Sequence, residues 1–222
     1  MSEYRTSALV LPALVALLTL FFTATPAPAQ DREFHFGLGY SHLFWDGHNS
    51  DALSEQGGAR FEGRVTWCPD QTRLPALRVG AGVSFTGFYS YDSDEDFVVV
   101  DDIVFFTADD FSQLSLITPE AEVSYRLDLP DDRWYFEPGL AASFFVGNYV
   151  KGEEVIGYVD TDIDRWNVGG GGRAFLRLAY RPEPRFAIGL EGSYSFGWID
   201  FGDDIGGDIQ QGYLGVFFAH GF

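Results

Sequence analysis

The residues of this chain whose types could do chemistry are few: four histidines, one cysteine and two runs of alternating acids. His48 lies in a segment with Asp46, Ser50 and Asp51, so a base, an acid and a hydroxyl occur close together. A nucleophilic triad needs those groups hydrogen-bonded in order beside an oxyanion site, and nearness in sequence supplies neither. Cys68 has no second cysteine to pair with and no histidine near it in sequence, so neither a disulfide nor an activated thiolate is expected. Asp92-Ser93-Asp94 and Asp160-Thr161-Asp162-Ile163-Asp164 offer carboxylates at alternate positions, the kind of hard oxygen ligand that suits Ca²⁺. The second run begins like an EF-hand loop but has Arg165 where the turn needs glycine and Gly171 where the bidentate Glu belongs. The glycine run Gly169–Gly172 lies inside a strand pattern and marks a bulge or bend rather than a phosphate loop. No catalytic residue, metal site or cofactor is expected from these features.

The stronger constellation is charged. Arg60, Glu62, Arg64, Arg78, Glu120, Glu122, Arg126, Glu137, Arg173, Arg177 and Glu191 are spread over most of the chain, padded by Gly and Ser. In period-2 segments all of them share one face, and no charged residue falls on the other. Six Arg and five Glu turned toward one another would pair, because a buried unpaired charge is costly.

Eight segments of alternating character must position them: roughly 33–45, 57–68, 76–89, 113–128, 134–146, 166–180, 186–198 and 209–222. Short Pro- and Asp-rich turns (Pro69-Asp70, Pro130-Asp131-Asp132, Pro182-Glu183-Pro184) alternate with longer acidic loops at 46–56, 90–112, 147–165 and 199–208. The face opposite the charges carries Phe34, Phe36, Tyr40, Phe61, Phe85, Leu140, Phe144, Trp166, Leu176, Tyr194, Trp198, Leu214 and Phe218, among others. Aromatics make up 17% of the residues, and they stand near both ends of most segments, as in the two girdles of a spanning barrel. A soluble sandwich would have no need of rings at both ends of its strands. The predicted fold is all-β: an eight-stranded antiparallel up-and-down transmembrane β-barrel with a charged lumen. Within loop 90–112, Val98–Val100 and Ile103–Phe106 are expected either to extend the third and fourth strands above the membrane as a hairpin or to form a sticky tip for a partner, and Asp101-Asp102 argues against two extra spanning strands.

Residues 1–29 read as a secretory signal peptide, with Arg5 ahead of the apolar run Ala8–Phe22 and an Ala27-Pro28-Ala29 cleavage site. Residues 30–222 then form the barrel domain. The net charge of −19 excludes a nucleic-acid partner, which would need a basic patch. The four long loops carry 20 of the 33 acids and the only lysine, Lys151. They form a solvated acidic rim.

The chain ends Tyr213-Leu214-Gly215-Val216-Phe217-Phe218-Ala219-His220-Gly221-Phe222. This resembles the C-terminal assembly signal of bacterial outer-membrane proteins, with Phe218 and the terminal Phe222 as its apolar positions, although His220 stands where an aromatic is usual. Together with Phe136-Glu137-Pro138-Gly139-Leu140-Ala141 and Leu190-Glu191-Gly192-Ser193-Tyr194, residues 30–222 resemble the OmpA/OmpX-like family of small outer-membrane β-barrels. The resemblance implies location in the outer membrane, contact with its lipid and lipopolysaccharide, delivery by the barrel assembly machinery and a monomeric state. It says nothing about activity, because fold does not imply function. The expected function is a structural or surface-interaction barrel displaying acidic loops, and not an enzyme. The alternatives are a narrow porin-like ion channel and, behind it, a lipid A-modifying enzyme, as some small barrels are.

Overall fold

The computed structural model describes residues 32–48, 55–92, 97–100, 103–106, 109–155, 158–201 and 206–222. The predicted signal peptide, residues 1–29, lies outside them, as do Ser50 and Asp51. The described residues form eleven strands: β1 (Arg32–His48), β2 (Glu55–Trp67), β3 (Leu77–Asp92), β4 (Phe97–Val100), β5 (Ile103–Phe106), β6 (Asp109–Tyr125), β7 (Leu127–Asp128), β8 (Trp134–Val155), β9 (Tyr158–Glu183), β10 (Phe186–Asp200) and β11 (Gly206–Gly221).

Nine of these run in the order β6-β3-β2-β1-β11-β10-β9-β8-β7, and β6 also pairs directly with β8, so the sheet closes. β7 continues β6 past Arg126 against β8, leaving eight staves, all antiparallel to their neighbours. Among the described residues β4 and β5 pair only with each other, the hairpin of the two readings of loop 90–112.

Turn chemistry sets one end of the barrel. Between β2 and β3, the Asp70 carboxylate accepts the backbone N–H groups of Thr72 and Arg73, both at 3.1 Å, and the Thr72 hydroxyl at 2.7 Å. Between β7 and β8, Asp131 accepts the N–H groups of Arg133 and Trp134, and Asp132 adopts the left-handed backbone (φ 54°) that Asp tolerates. Two residues, Pro184 and Arg185, join β9 to β10.

The long-loop end differs from the sequence expectation in strand length. Pairing of β8 with β9 continues to Val155↔Tyr158, through most of the predicted loop 147–165, and β3 pairs with β6 as far as Asp92↔Asp110. Tyr149, Val150, Val159, Thr161 and Ile163 are strand-forming residue types, so the ladder continues beyond the apolar belt, where polar residues alone had suggested loop, with one register shift between Lys151 and Gly152 that leaves Asp162 without a partner on β8. The glycine run is regular: β9 shows no register shift at Gly169–Gly172 against either neighbour. A Cβ at Gly169 would meet the backbone of Ile199, and one at Gly171 would lie 2.7 Å from the Gly197 Cα. These glycines allow close strand approach and do not mark a bulge.

Side chains alternate between a lipid-type exterior and the lumen. Apolar residues are exposed outside along every stave, among them Leu140 at 62% and Leu214 at 64%. Phe34 and Phe44 bound the belt on β1, ten residue steps apart. That is about 33 Å of strand at roughly 3.3 Å per residue. At a tilt of about 40° it becomes roughly 25 Å of height, the apolar band of a spanning barrel.

Candidate functional site

The lumen is stratified. At the long-loop end, Leu43, Phe88, Leu114, Leu116, Phe145, Tyr149, Ile199, Phe201 and Ile209 form one buried apolar cluster. At the short-turn end, Tyr135, Ala179, Ala187, Phe217 and Ala219 form another. The charges occupy the space between.

Their centre is a row across three strands. Glu137 on β8, Arg177 on β9 and Glu191 on β10 are directly opposite in register. Arg177 Nη1 donates to Glu137 at 2.7 Å, and Nε donates to Glu191 at 2.7 Å. All three side chains are fully buried. Arg177 Nη2 also reaches Glu122 at 2.7 Å. Glu191 accepts two further guanidiniums, Arg64 at 2.7 Å and Arg173. Arg64 also pairs with Glu62, and Arg173 bonds Glu120 at 2.7 Å. Arg60 lies between Glu62 (3.4 Å) and Glu120 (3.5 Å). Toward the turns, Arg126 donates to Glu137 at 2.8 Å and holds Glu33 bidentately through two bonds of 2.6 Å. Glu33 lies 3.3 Å from His35 Nε2.

Ten of the eleven charges named from sequence therefore meet in one connected cluster. Arg78 does not. It is buried near the turns and donates to the carbonyls of Pro75 (2.7 Å) and Leu77 (3.2 Å). Its position at the first inward site of β3 puts main-chain acceptors nearer than any carboxylate.

Rings and glycines hold the cluster in place. Phe175 lies between Arg173 and Arg177, whose guanidinium carbons are 4.9 and 4.0 Å from its centroid. Tyr135 receives Arg126 at 4.2 Å and Arg181 at 4.6 Å. Desolvated contacts of this kind are worth about 2 kcal/mol. Gly139 faces the Phe175 ring so closely that a Cβ there would lie 2.6 Å from Cε2, and a Cβ at Gly37 would lie 2.7 Å from Glu62 Cγ. Both positions are empty of side chain because a neighbour fills them.

Sequence reasoning missed Glu33 and His35 as members, although both share the parity of the inward positions on β1. It also missed the apolar clusters. The available signal was the loss of alternation in doublets such as Leu43-Phe44, Phe144-Phe145 and Phe217-Phe218, where one of two adjacent apolar side chains must point inward. Of the other residues singled out, His220 is exposed on the lipid side and His42 is partly so, with its ring 4.6 Å from Phe44. Cys68 is buried, and Sγ donates to the Leu74 carbonyl at 3.4 Å. The side chains of Asp46 and His48 and both D-x-D runs, apart from Ile163 and Asp164, lie outside the described residues, so the candidate triad has no geometry to assess. Phe218 and Phe222 both face outward and are exposed. No group of three or more possible metal ligands occurs among the described residues.

A closed antiparallel sheet with an apolar exterior belt and buried charges is the construction of an outer-membrane β-barrel. Among the described residues no helix is long and apolar enough to cross a membrane. No family model and no curated protein matches the chain. Solved structures similar to it include Neisserial surface protein A, at 16% identity and TM-score 0.46, covering 85% of this chain and 97% of that one. Ail, the attachment invasion locus protein of Yersinia pestis, described in complex with the heparin analogue sucrose octasulfate, is 13% identical with TM-score 0.46 and covers 87% and 99%. The outer membrane protein OprG of Pseudomonas aeruginosa is 10% identical with TM-score 0.45 and covers 87% and 97%.

Proposed function

We propose that this protein is a structural and surface-interaction barrel of the outer membrane, with a lumen sealed to ions and an acidic rim facing the cell exterior. The observation that carries this reading is the stratified lumen: a charge cluster whose members pair with one another, closed toward each end by an apolar layer. Ions moving through would have to break Arg–Glu pairs and then cross packed side chains such as Leu114, Phe88 and Ile199, all of them fully buried. Eight strands leave an interior just wide enough for side chains to fill. The work of the protein then falls to the long-loop end, where most of the acids are.

The signal peptide, delivery by the assembly machinery, contact with lipopolysaccharide and a monomeric state belong to the same reading. In this reading Phe218 and Phe222 are the apolar positions of the C-terminal signal that the assembly machinery reads in the unfolded chain. The test is conductance of the refolded protein in a planar bilayer. Current indistinguishable from an empty bilayer is expected. Discrete steps that change on Arg177→Gln would overturn the sealed lumen in favour of the channel alternative. Altered lipid A on expression of the protein would point to an enzyme.

A further inference from the structure

The two ends of the barrel differ in charge. Arg32, Arg73, Arg133, Arg181 and Arg185 stand at the short-turn end, whereas the long-loop end is acidic and has Lys151 and Arg165. The acids of the short turns are committed locally. Asp70 and Asp131 accept backbone N–H groups of their own turns, and Asp128 pairs with Arg181 at 2.9 Å. Arg133 is left over. It is exposed, and among the described residues no carboxylate lies within ion-pair distance of it, the neighbouring Asp132 included.

Its place is fixed from two directions. The Arg181 N–H donates to the Arg133 carbonyl at 2.6 Å, which ties the turn to β9. Arg133 Nη1 donates to the Tyr180 hydroxyl at 3.4 Å. Tyr180 stands directly opposite Trp134 in the β8–β9 ladder, and their rings lie 5.0 Å apart, tilted by 46°. The next outward row, Leu127, Phe136 and Leu178, is apolar. Arg133 therefore sits one residue past the edge of the lipid-facing belt, beside an amphipathic ring pair. Such rings settle at the headgroup level, and a long cationic side chain at the end of the belt reaches the same plane. That plane holds the phosphates of the lipid. A guanidinium takes phosphate through two parallel N–H bonds. The Tyr180 hydroxyl accepts from Arg133 and so keeps its own proton to donate.

We infer that Arg133, with Tyr180 and Trp134, binds the phosphate of a phospholipid in the leaflet at the short-turn end, with an acyl chain of that lipid along Leu127, Phe136 and Leu178. The inference rests on the belt facing lipid and is independent of what the long loops do.

The test uses the protein refolded in detergent micelles, with bound lipid counted by native mass spectrometry. Three ligands are added separately: phosphatidylglycerol, the diacylglycerol with the same chains, and glycerol phosphate. Saturable binding of phosphatidylglycerol is expected, with much weaker binding of the diacylglycerol and no displacement by glycerol phosphate. Arg133→Gln should weaken phosphatidylglycerol binding about tenfold, the scale of one charge-assisted hydrogen bond. Arg133→Lys should fall between the two, because it keeps the charge and loses the fork. Arg73→Gln, in the β2–β3 turn, should leave binding unchanged. Equal binding of the diacylglycerol would mean that the belt takes any acyl chain. An equal loss from Arg73→Gln would mean that the rim acts through its summed charge. Displacement by glycerol phosphate would make this a site for soluble phosphates. Each of these results overturns the proposal, as does the absence of saturable binding to protein that still shows heat-dependent gel mobility. Loss of that mobility shift would strike the barrel reading, and the proposal with it.

Discussion

Arg177 and Glu191 stand directly opposite each other on β9 and β10, joined by a bond of 2.7 Å, and neither side chain is exposed to solvent. The same carboxylate also serves Arg64 and Arg173, so one group neutralises parts of three guanidiniums. A buried cluster of this kind adds little net stability over an apolar core, but removal of one partner leaves the others uncompensated.

Glu191→Gln is therefore expected to lower unfolding stability by about 3–5 kcal/mol. Arg78→Ala, which removes no ion pair among the described residues, should cost about 1–2 kcal/mol through lost packing and two main-chain hydrogen bonds. Urea titration of the refolded barrel, followed by tryptophan fluorescence, separates the two. Equal losses would mean that the cluster is not a coupled unit.

The glycines divide by what faces them. Gly139→Ala would drive a methyl group into the Phe175 ring, against which Arg173 and Arg177 also pack, so a loss of about 1–3 kcal/mol is expected from overpacking. Gly192→Ala places its methyl group where no heavy atom lies within 4 Å, and should change stability by no more than about 0.5 kcal/mol. The same urea titration measures both, and a neutral Gly139→Ala would show that the ring has room to move.

The exterior belt makes a prediction with the opposite logic to a soluble protein. Leu140 is 62% exposed on β8 between Trp134 and Phe144 of the apolar belt, yet Leu140→Arg should destabilise the barrel in lipid by roughly 2–4 kcal/mol. Leu129, also exposed but in the turn before β8, should accept Arg with a change within about 0.5 kcal/mol. Refolding equilibria in phospholipid vesicles measure both. An unaffected Leu140→Arg would place that face in water.

How much of this was legible in the sequence follows from which signals are local. Alternation alone identified the staves, because a strand with one face in lipid and the other inside must alternate. It also grouped ten of the eleven charges. Arg78 was misplaced in the cluster because parity gives the face of a strand and not the height along it. Glu33 was overlooked at the very start of β1, where too few residues precede it to show a period. Phe145 and Ile199 escaped notice because a lumen position may be apolar, and then it reads no differently from a lipid-facing one. The strand extension to Val155 and Tyr158 was hidden because above the membrane neither face needs to be apolar.

The β2–β3 turn responds to pH. The Thr72 hydroxyl, and then the N–H groups of Arg73 and Thr72, hold the Asp70 carboxyl below the ordinary carboxylate range. A depressed folded-state value means that the bonds are fully present above the unfolded-state value and are lost as pH falls through the folded one. Amide exchange at Thr72 and Arg73, measured against the intrinsic rate, should lose protection at acid pH. Asp70→Asn should show weakened protection already at pH 7, with that acid transition removed. A pH-independent ratio in the native turn would remove the carboxylate from its role.

The central claim is that the apolar face of the closed sheet meets lipid and the charged face meets itself. Electrophoresis of the protein refolded in detergent, with and without boiling, tests it most directly. The expected result is a faster-migrating unboiled band that shifts to full apparent mass on heating, as a closed barrel resistant to the denaturing detergent would. A single band insensitive to heating, from protein that stays soluble without detergent, would contradict the claim and turn the assignment of inside and outside around.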